Sequence, residues 1–218
     1  MEIQNNIIKY IFQNVYFITG TAYAGKSTMI KLLSEKHDGI CCGENYHDIL
    51  MKAISKKEQP NLSYLSTMKD WQEFISRTPQ EYDDWITGCG KEAADLEIVR
   101  LIQLVVQGKK VFVDTNISIK RLKEISDYNH VAIMLSPHSM SVEKFFDRED
   151  EEKQFILTQI NRAKNPKEAM ENYKKCLAKV NSDEKYKVYD NSGFFTMLRT
   201  DSRTISEALR TLENHFGL

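Results

Sequence analysis

The sequence has no excess of charge of either sign: 30 lysines and arginines face 31 acids in 218 residues, a formal balance of −1. No basic stripe with interleaved aromatics is present, so a nucleic-acid-binding surface is not expected and charge by itself selects no partner. Cysteine is scarce. Cys41, Cys42, Cys89 and Cys176 show neither C-x-x-C spacing nor the density of a disulfide scaffold, and reduced thiols are expected. Met1 to Asn6 carries no basic region followed by an apolar core, and no apolar run approaches a membrane span. These absences lead to the expectation of a cytoplasmic protein without a membrane partner. The length suits a single domain, 1–218, enlarged by insertions rather than divided in two.

What is present is a series of short apolar runs: Val15 to Thr19, Gly39 to Cys42, Val111 to Asp114, Val131 to Leu135 and Tyr186 to Tyr189. They lack strict alternation and are separated by long helical patterns, which is how strands covered on both faces read. The fold class is therefore α/β with a parallel sheet. Ile98, Leu101, Ile102 and Val105 repeat at i, i+3, i+4, i+7, predicting a crossover helix over 91–107 that Gly108 stops. The stretch 44–90 is left as a helical insertion. Its Trp71, Phe74, Tyr82 and Trp85 either pack beneath the insertion or meet a substrate. Further helices are expected over 167–180 and 203–215.

The first run leads into Gly20-Thr21-Ala22-Tyr23-Ala24-Gly25-Lys26-Ser27-Thr28, which fits G-x-x-x-x-G-K-[S/T] at every fixed position. A helical pattern, Met29, Ile30, Leu32 and Leu33, follows. Backbone N–H groups of such a loop curl around a phosphate, and the positive end of the next helix points at the same anion. Lys26 would reach the β- and γ-oxygens of a nucleotide triphosphate, and the Ser27 hydroxyl would ligate Mg²⁺. Tyr23 is large for this loop but occupies a variable position and can point outward.

Val111-Phe112-Val113-Asp114 is an apolar run ending in a carboxylate, the shape of a Walker B element. Asp114 would hold Mg²⁺ opposite Ser27; the alternative is a turn-capping carboxylate. Missing signatures narrow the class. There is no N-K-x-D segment and no D-x-x-G after Asp114, which disfavours a GTPase. Thr115 follows Asp114 where a motor ATPase would carry an acid, and no L-S-G-G-Q-like segment occurs.

The loop at 20–28, the insertion after the second strand, Asp114 on the third and an arginine-containing segment after the fourth together resemble the nucleoside and nucleotide kinase-like group of P-loop small-molecule kinases. The layout is like that of cytidylate, shikimate and gluconate kinases. The resemblance implies a three-layer P-loop NTPase fold, a five-stranded parallel sheet in the order 2-3-1-4-5, a substrate-binding insertion and a lid closing over ATP. It implies that Gly20, Thr21, Ala22, Tyr23, Ala24, Gly25, Lys26, Ser27 and Thr28 form the phosphate loop and that Asp114 is the Walker B acid. The polar segment 138–165 is the candidate lid. Arg148 there matches a lid arginine that would stabilise the transferring phosphoryl group, with Arg162 a second candidate; Arg148 could equally pair with Glu149, Asp150 or Glu152 on the surface.

Glu44-Asn45-Tyr46-His47-Asp48 follows the second strand, where related kinases bind the acceptor. Glu44 or Asp48 could orient or deprotonate an attacking hydroxyl, and Asn45 or Asp48 could instead cap the next helix. No arginine follows soon; Lys52 is the nearest cation, which leaves a nucleoside, a sugar acid or another hydroxyl-bearing metabolite as plausible as a nucleotide. Residues 190–203, taken to follow the last strand, are the candidate base-binding segment, with Arg199 and Ser202 as contacts. The function expected is transfer of the γ-phosphate of Mg-ATP to a small acceptor. The alternatives are a nucleotide-binding regulatory protein with little transfer activity, and a toxin-like kinase acting on a nucleotide-sugar.

Overall fold

Four of the five apolar runs are strands in the computed structural model, which describes residues 3–137, 140–143, 145–147, 151–200 and 202–218. The chain order is α1 (Asn5–Ile11), β1 (Val15–Gly20), α2 (Lys26–Lys36), β2 (Ile40–Cys42), α3 (Tyr64–Thr67), α4 (Trp71–Ile75) and α5 (Pro79–Val105). It continues with β3 (Val111–Asp114), α6 (Ile119–Ile125), β4 (Val131–Leu135), α7 (Met140–Glu143), α8 (Glu151–Asn161), α9 (Pro166–Val180), α10 (Asp183–Asp190), β5 (Phe195–Leu198) and α11 (Ile205–Phe216). All the strand pairings are parallel, and the sheet order is β2-β3-β1-β4-β5, as the resemblance implies.

Side-chain alternation along the strands builds two cores. Val15, Phe17, Val111, Val113, Val131 and Ile133 pack on one face with Ile8 of α1, Leu101 and Leu104 of α5 and Leu122 of α6. Tyr16, Ile18, Phe112, Ala132 and Met134 point the other way, against Ile30 and Leu33 of α2 and Leu212 and Phe216 of α11. The result is three layers, helix on sheet on helix. A third core holds the insertion: Phe74, Tyr82 and Ile75 are buried against Ile160 of α8 and Tyr173 and Leu177 of α9, with Trp71 and Trp85 packed on them. The insertion's aromatics are thus structural.

Three elements differ from the sequence reading. The run Tyr186 to Tyr189 is part of α10, not a strand: Tyr186 and Tyr189, spaced i, i+3, both pack on the first core while Val188 stands exposed. Asp183 and Glu184 in its first turn and Lys187 in its last also suit a helix dipole. The fifth strand is Phe195–Leu198, so the segment 190–203 contains the last strand rather than following it. The crossover helix starts at Pro79, not 91. Thr78 and Glu81 close a capping box there with Pro79 at the first helical position, and the helix runs through Gly88 and Gly90, two glycines that weaken it without ending it. Among the described residues no helix is long and apolar enough to cross a membrane.

Candidate functional site

The sheet order reverses direction at β1, which lies between β3 and β4, and this opens a crevice beyond the carboxyl ends of those strands. The 20–28 loop fills one side of it. Gly20 adopts φ +134°, and a Cβ there would stand 1.9 Å from the Met134 carbonyl oxygen, so only glycine lets the chain leave β1 this close to β4. Thr21 N–H donates to that same carbonyl at 3.0 Å. Gly25, at φ +91°, is the N-cap of α2; no side chain caps this helix and its first turn holds no acid. The N–H groups of that turn therefore stay available to an anion, and the helix dipole favours one.

Neighbouring strands brace the loop. Ser136, buried directly after β4, donates its N–H to Thr21 Oγ1 at 2.7 Å and its hydroxyl to the Ala22 carbonyl at 2.6 Å. Arg199, just past β5, donates from Nη1 to the Tyr23 carbonyl at 2.5 Å. Arg199, read from sequence as a base contact, thus holds the loop, and Ser202 pairs with the Thr200 hydroxyl at 3.2 Å. Tyr23 itself does not point outward: it is 8% exposed and sits at φ +65°, a left-handed conformation costly for a non-glycine residue.

Lys26 lies at the start of α2, with Nζ donating to the Thr21 carbonyl at 3.1 Å and standing 4.0 Å from Asp114 Oδ1. Asp114 ends β3 beside β1 and is 5% exposed. Burial pushes its carboxyl up to about 6; Lys26 opposes that rise, while Glu44 and Glu97 add to it. Ser27, Thr28, Glu44 and Asp114 all line one cavity of about 690 Å³ together with the loop. Its other walls come from α5 (Ile86, Thr87, Gly90), from Phe145 and Lys153, and from α9 and α10.

Among the described residues no group of three or more His, Cys, Asp or Glu side chains could hold a metal alone. One hydroxyl and one carboxylate on a shared cavity do suit Mg²⁺, which keeps several waters and takes its remaining oxygens from bound phosphates.

Other expected residues stand elsewhere. Asp48 is exposed, outside the cavity wall, at the head of a 3₁₀ turn over Asp48–Ala53; no side chain caps that turn, so neither Asn45 nor Asp48 acts as a cap. Arg162 is exposed past the end of α8 and does not reach the cavity wall. Arg148 lies outside the described residues.

Glu97 escaped the sequence reading. This carboxylate on α5 is fully buried and accepts from Thr115 Oγ1 at 2.6 Å, Asn116 Nδ2 at 2.7 Å, Asn116 N–H at 3.1 Å and Tyr46 OH at 3.2 Å. His47 Nδ1 stands 3.8 Å away. Burial raises its pKa, and the hydrogen bonds from Thr115 and Asn116 counter the rise. It ties the residues after β3 to those after β2, fixing Asp114 and Glu44 relative to one another. Its signal was an acid four residues from both Ala93 and Leu101, on the buried stripe of a helix, where a charge needs partners.

No protein-family model, curated protein or solved structure matches this chain. The site's meaning therefore rests on its geometry: a loop closing on an uncapped helix N-terminus, with Lys26 beside Asp114 and with Glu44 on the same cavity wall.

Proposed function

We propose that the chain is an ATP- and Mg²⁺-dependent phosphotransferase of the nucleoside and nucleotide kinase-like type, acting on a small hydroxyl- or phosphate-bearing metabolite. The observation that carries the reading is the meeting of Lys26 and Asp114 at 4.0 Å on the mouth of an uncapped helix-initiating loop. Lysine in such a loop and a carboxylate on the adjacent strand are the two charges that phosphoryl transfer requires.

The loop N–H groups and the α2 dipole bind the β-phosphate. Lys26 exchanges its bond to the Thr21 carbonyl for the β- and γ-oxygens, neutralising charge that grows on the leaving group. Ser27 and Asp114 would hold Mg²⁺, which would supply neutralisation of phosphate charge when bound. An acceptor hydroxyl in the cavity attacks the γ-phosphorus in line, the bond to the β–γ bridging oxygen breaks with its electron pair leaving on ADP, and Glu44 takes the hydroxyl proton. Ser136 and Arg199 hold the loop in shape before substrate arrives, so little reorganisation is left to the reaction.

The test is ADP release from Mg-ATP measured against a panel of nucleosides, nucleotides, sugar acids and nucleotide-sugars. Acceptor-dependent release supports the phosphotransferase. Tight ATP binding with no response to any acceptor would replace it with a nucleotide-binding regulatory protein.

A further inference from the structure

The helices of the insertion and those that follow β4 share one core. Phe74, Ile75 and Tyr82 of the first group are buried against Ile160, Tyr173 and Leu177 of the second. Polar contacts join the same two groups: the Tyr82 and Tyr173 hydroxyls pair at 3.1 Å, Asn172 Nδ2 donates to the Arg77 carbonyl at 2.8 Å, and Gln72 Nε2 donates to the Gln159 carbonyl at 3.1 Å. Trp71 and Phe155 meet edge to face at 4.8 Å. Parting the groups would expose that core and break these bonds together. The helices after β4 are therefore not an independent flap.

The chain passes from this helical body to the sheet within α5, and again at the corner between α9 and α10. Along α5, Tyr82, Trp85 and Ile86 pack in the helical core, whereas Ala94, Ile98, Leu101 and Leu104 pack on the sheet. The stretch between them holds both glycines of the helix. A Cβ at Gly88 would stand 2.4 Å from the Asn61 side chain, so packing explains that glycine. A Cβ at Gly90 would meet nothing within 4 Å; packing does not explain this one, and glycine inside a helix both weakens it and eases bending. The corner is residues 181–182, between α9, whose Leu177 lies in the helical core, and α10, whose Tyr186 and Tyr189 pack on the sheet. Two ties span the glycine stretch rather than fill it. The Asn61 carbonyl accepts from Trp85 Nε1 at 3.1 Å while its Nδ2 donates to Glu92 at 2.6 Å, and Lys185 of α10 pairs with Asp83 and lies 3.3 Å from Thr87 Oγ1.

The cavity lies between the two bodies. The 20–28 loop, Glu44 and Asp114 line it from the sheet side and Ile86, Phe145 and Val180 from the helical side, with Gly90 and Asn181 at the two crossing points. A ligand that touches both sides favours the arrangement that brings them together. We propose that the insertion and the helices after β4 close over the 20–28 loop as one rigid body, bending at Gly90 of α5 and at the 181–182 corner. Filling the phosphate loop then also sets the insertion's wall of the cavity. This rests on the phosphotransferase reading only in taking the loop to bind the phosphates of ATP, and it departs from a lid that closes over ATP by itself.

The experiment measures distances between pairs of spin labels on the full chain, carrying Cys89→Ala, before and after saturation with Mg²⁺ and a non-hydrolysable ATP analogue. Exposed Cys41 on β2 marks the sheet body; Glu73→Cys on α4 and Lys174→Cys on α9, both at exposed positions, mark the helical body. The distances from Cys41 to 73 and to 174 both shorten by more than about 2 Å, while the distance from 73 to 174, measured with Cys41→Ser, stays fixed. Gly90→Ala raises the melting temperature by roughly 1 to 4 °C, since its Cβ meets nothing, and shrinks both movements at saturating analogue. A changed 73-to-174 distance, movement of one marker without the other, no movement with the analogue bound, or full movement in Gly90→Ala overturns the proposal and leaves the phosphotransferase reading standing. Failure of the analogue itself to bind overturns both.

Discussion

Asp114→Asn is expected to stabilise the metal-free protein while removing its Mg²⁺-dependent chemistry. The Asp114 carboxyl is held at about 6 by burial, against an ordinary value of 3.8. A folded-state pKa above the unfolded one means the fold prefers the protonated form, so the carboxylate costs stability above pH 6 and costs nothing below about 3.8. The gap of about two units corresponds to at most about 3 kcal/mol. In a chain of this length that is roughly 6 to 12 °C in Tm. Thermal unfolding in EDTA at pH 7 should therefore place Asp114→Asn above the parent chain, and the difference should shrink as pH falls from 6 towards 4. Adding Mg-ATP should reverse the order, since only the parent carboxylate gains a cation. A variant that melts at or below the parent temperature in EDTA at pH 7 would refute the argument that buried charge at this position is held at the expense of stability.

Three further outcomes follow from the same geometry. Gly20→Ala should disrupt the loop, because its Cβ would lie 1.9 Å from the Met134 carbonyl oxygen; loss of ATP binding with a lowered melting temperature is the expected result. Glu97→Gln presents an amide donor to a cluster of donors and should cost about 1 to 3 kcal/mol in chemical denaturation. Arg199→Ala removes the bond to the Tyr23 carbonyl, so it should raise the KM for ATP several-fold, about 1 kcal/mol of lost order, with the global melting temperature little changed.

The elements legible in sequence were those whose signal is local. The 20–28 loop and the four apolar runs of β1 to β4 announce themselves because strand, turn and helix patterns succeed one another without a competing reading. The sheet order came from the resemblance and not from the pattern. The fifth strand was missed for a physical reason: Phe195–Leu198 is an edge strand in which only Met197 is fully buried, so it lacks the apolar density of the others. Tyr186 to Tyr189 has that density but spends it at helical spacing. The start of α5 was hidden by Gly88 and Gly90, which look like a break; the capping box at Thr78 was the better guide.

At the site, the loop and Asp114 could be read because each carries its chemistry in a run of neighbours. Glu97 and Ser136 could not. Each acts through contacts with residues distant in the chain: Glu97 with Thr115 and Asn116, Ser136 with Thr21 and Ala22. Arg199 carried only a positional signal, its closeness to the end of the last strand; its bond to the Tyr23 carbonyl of the loop, 176 residues away in the chain, left no trace in the sequence.

The central claim is that the 20–28 loop binds the phosphates of ATP through Lys26. Calorimetric titration of Mg-ATP into the parent chain and into Lys26→Ala tests it most directly. Saturable binding by the parent, weakened roughly ten-fold or more in the variant with its melting temperature preserved, is the result the geometry requires. No binding to the parent, or equal affinity in both, would contradict it.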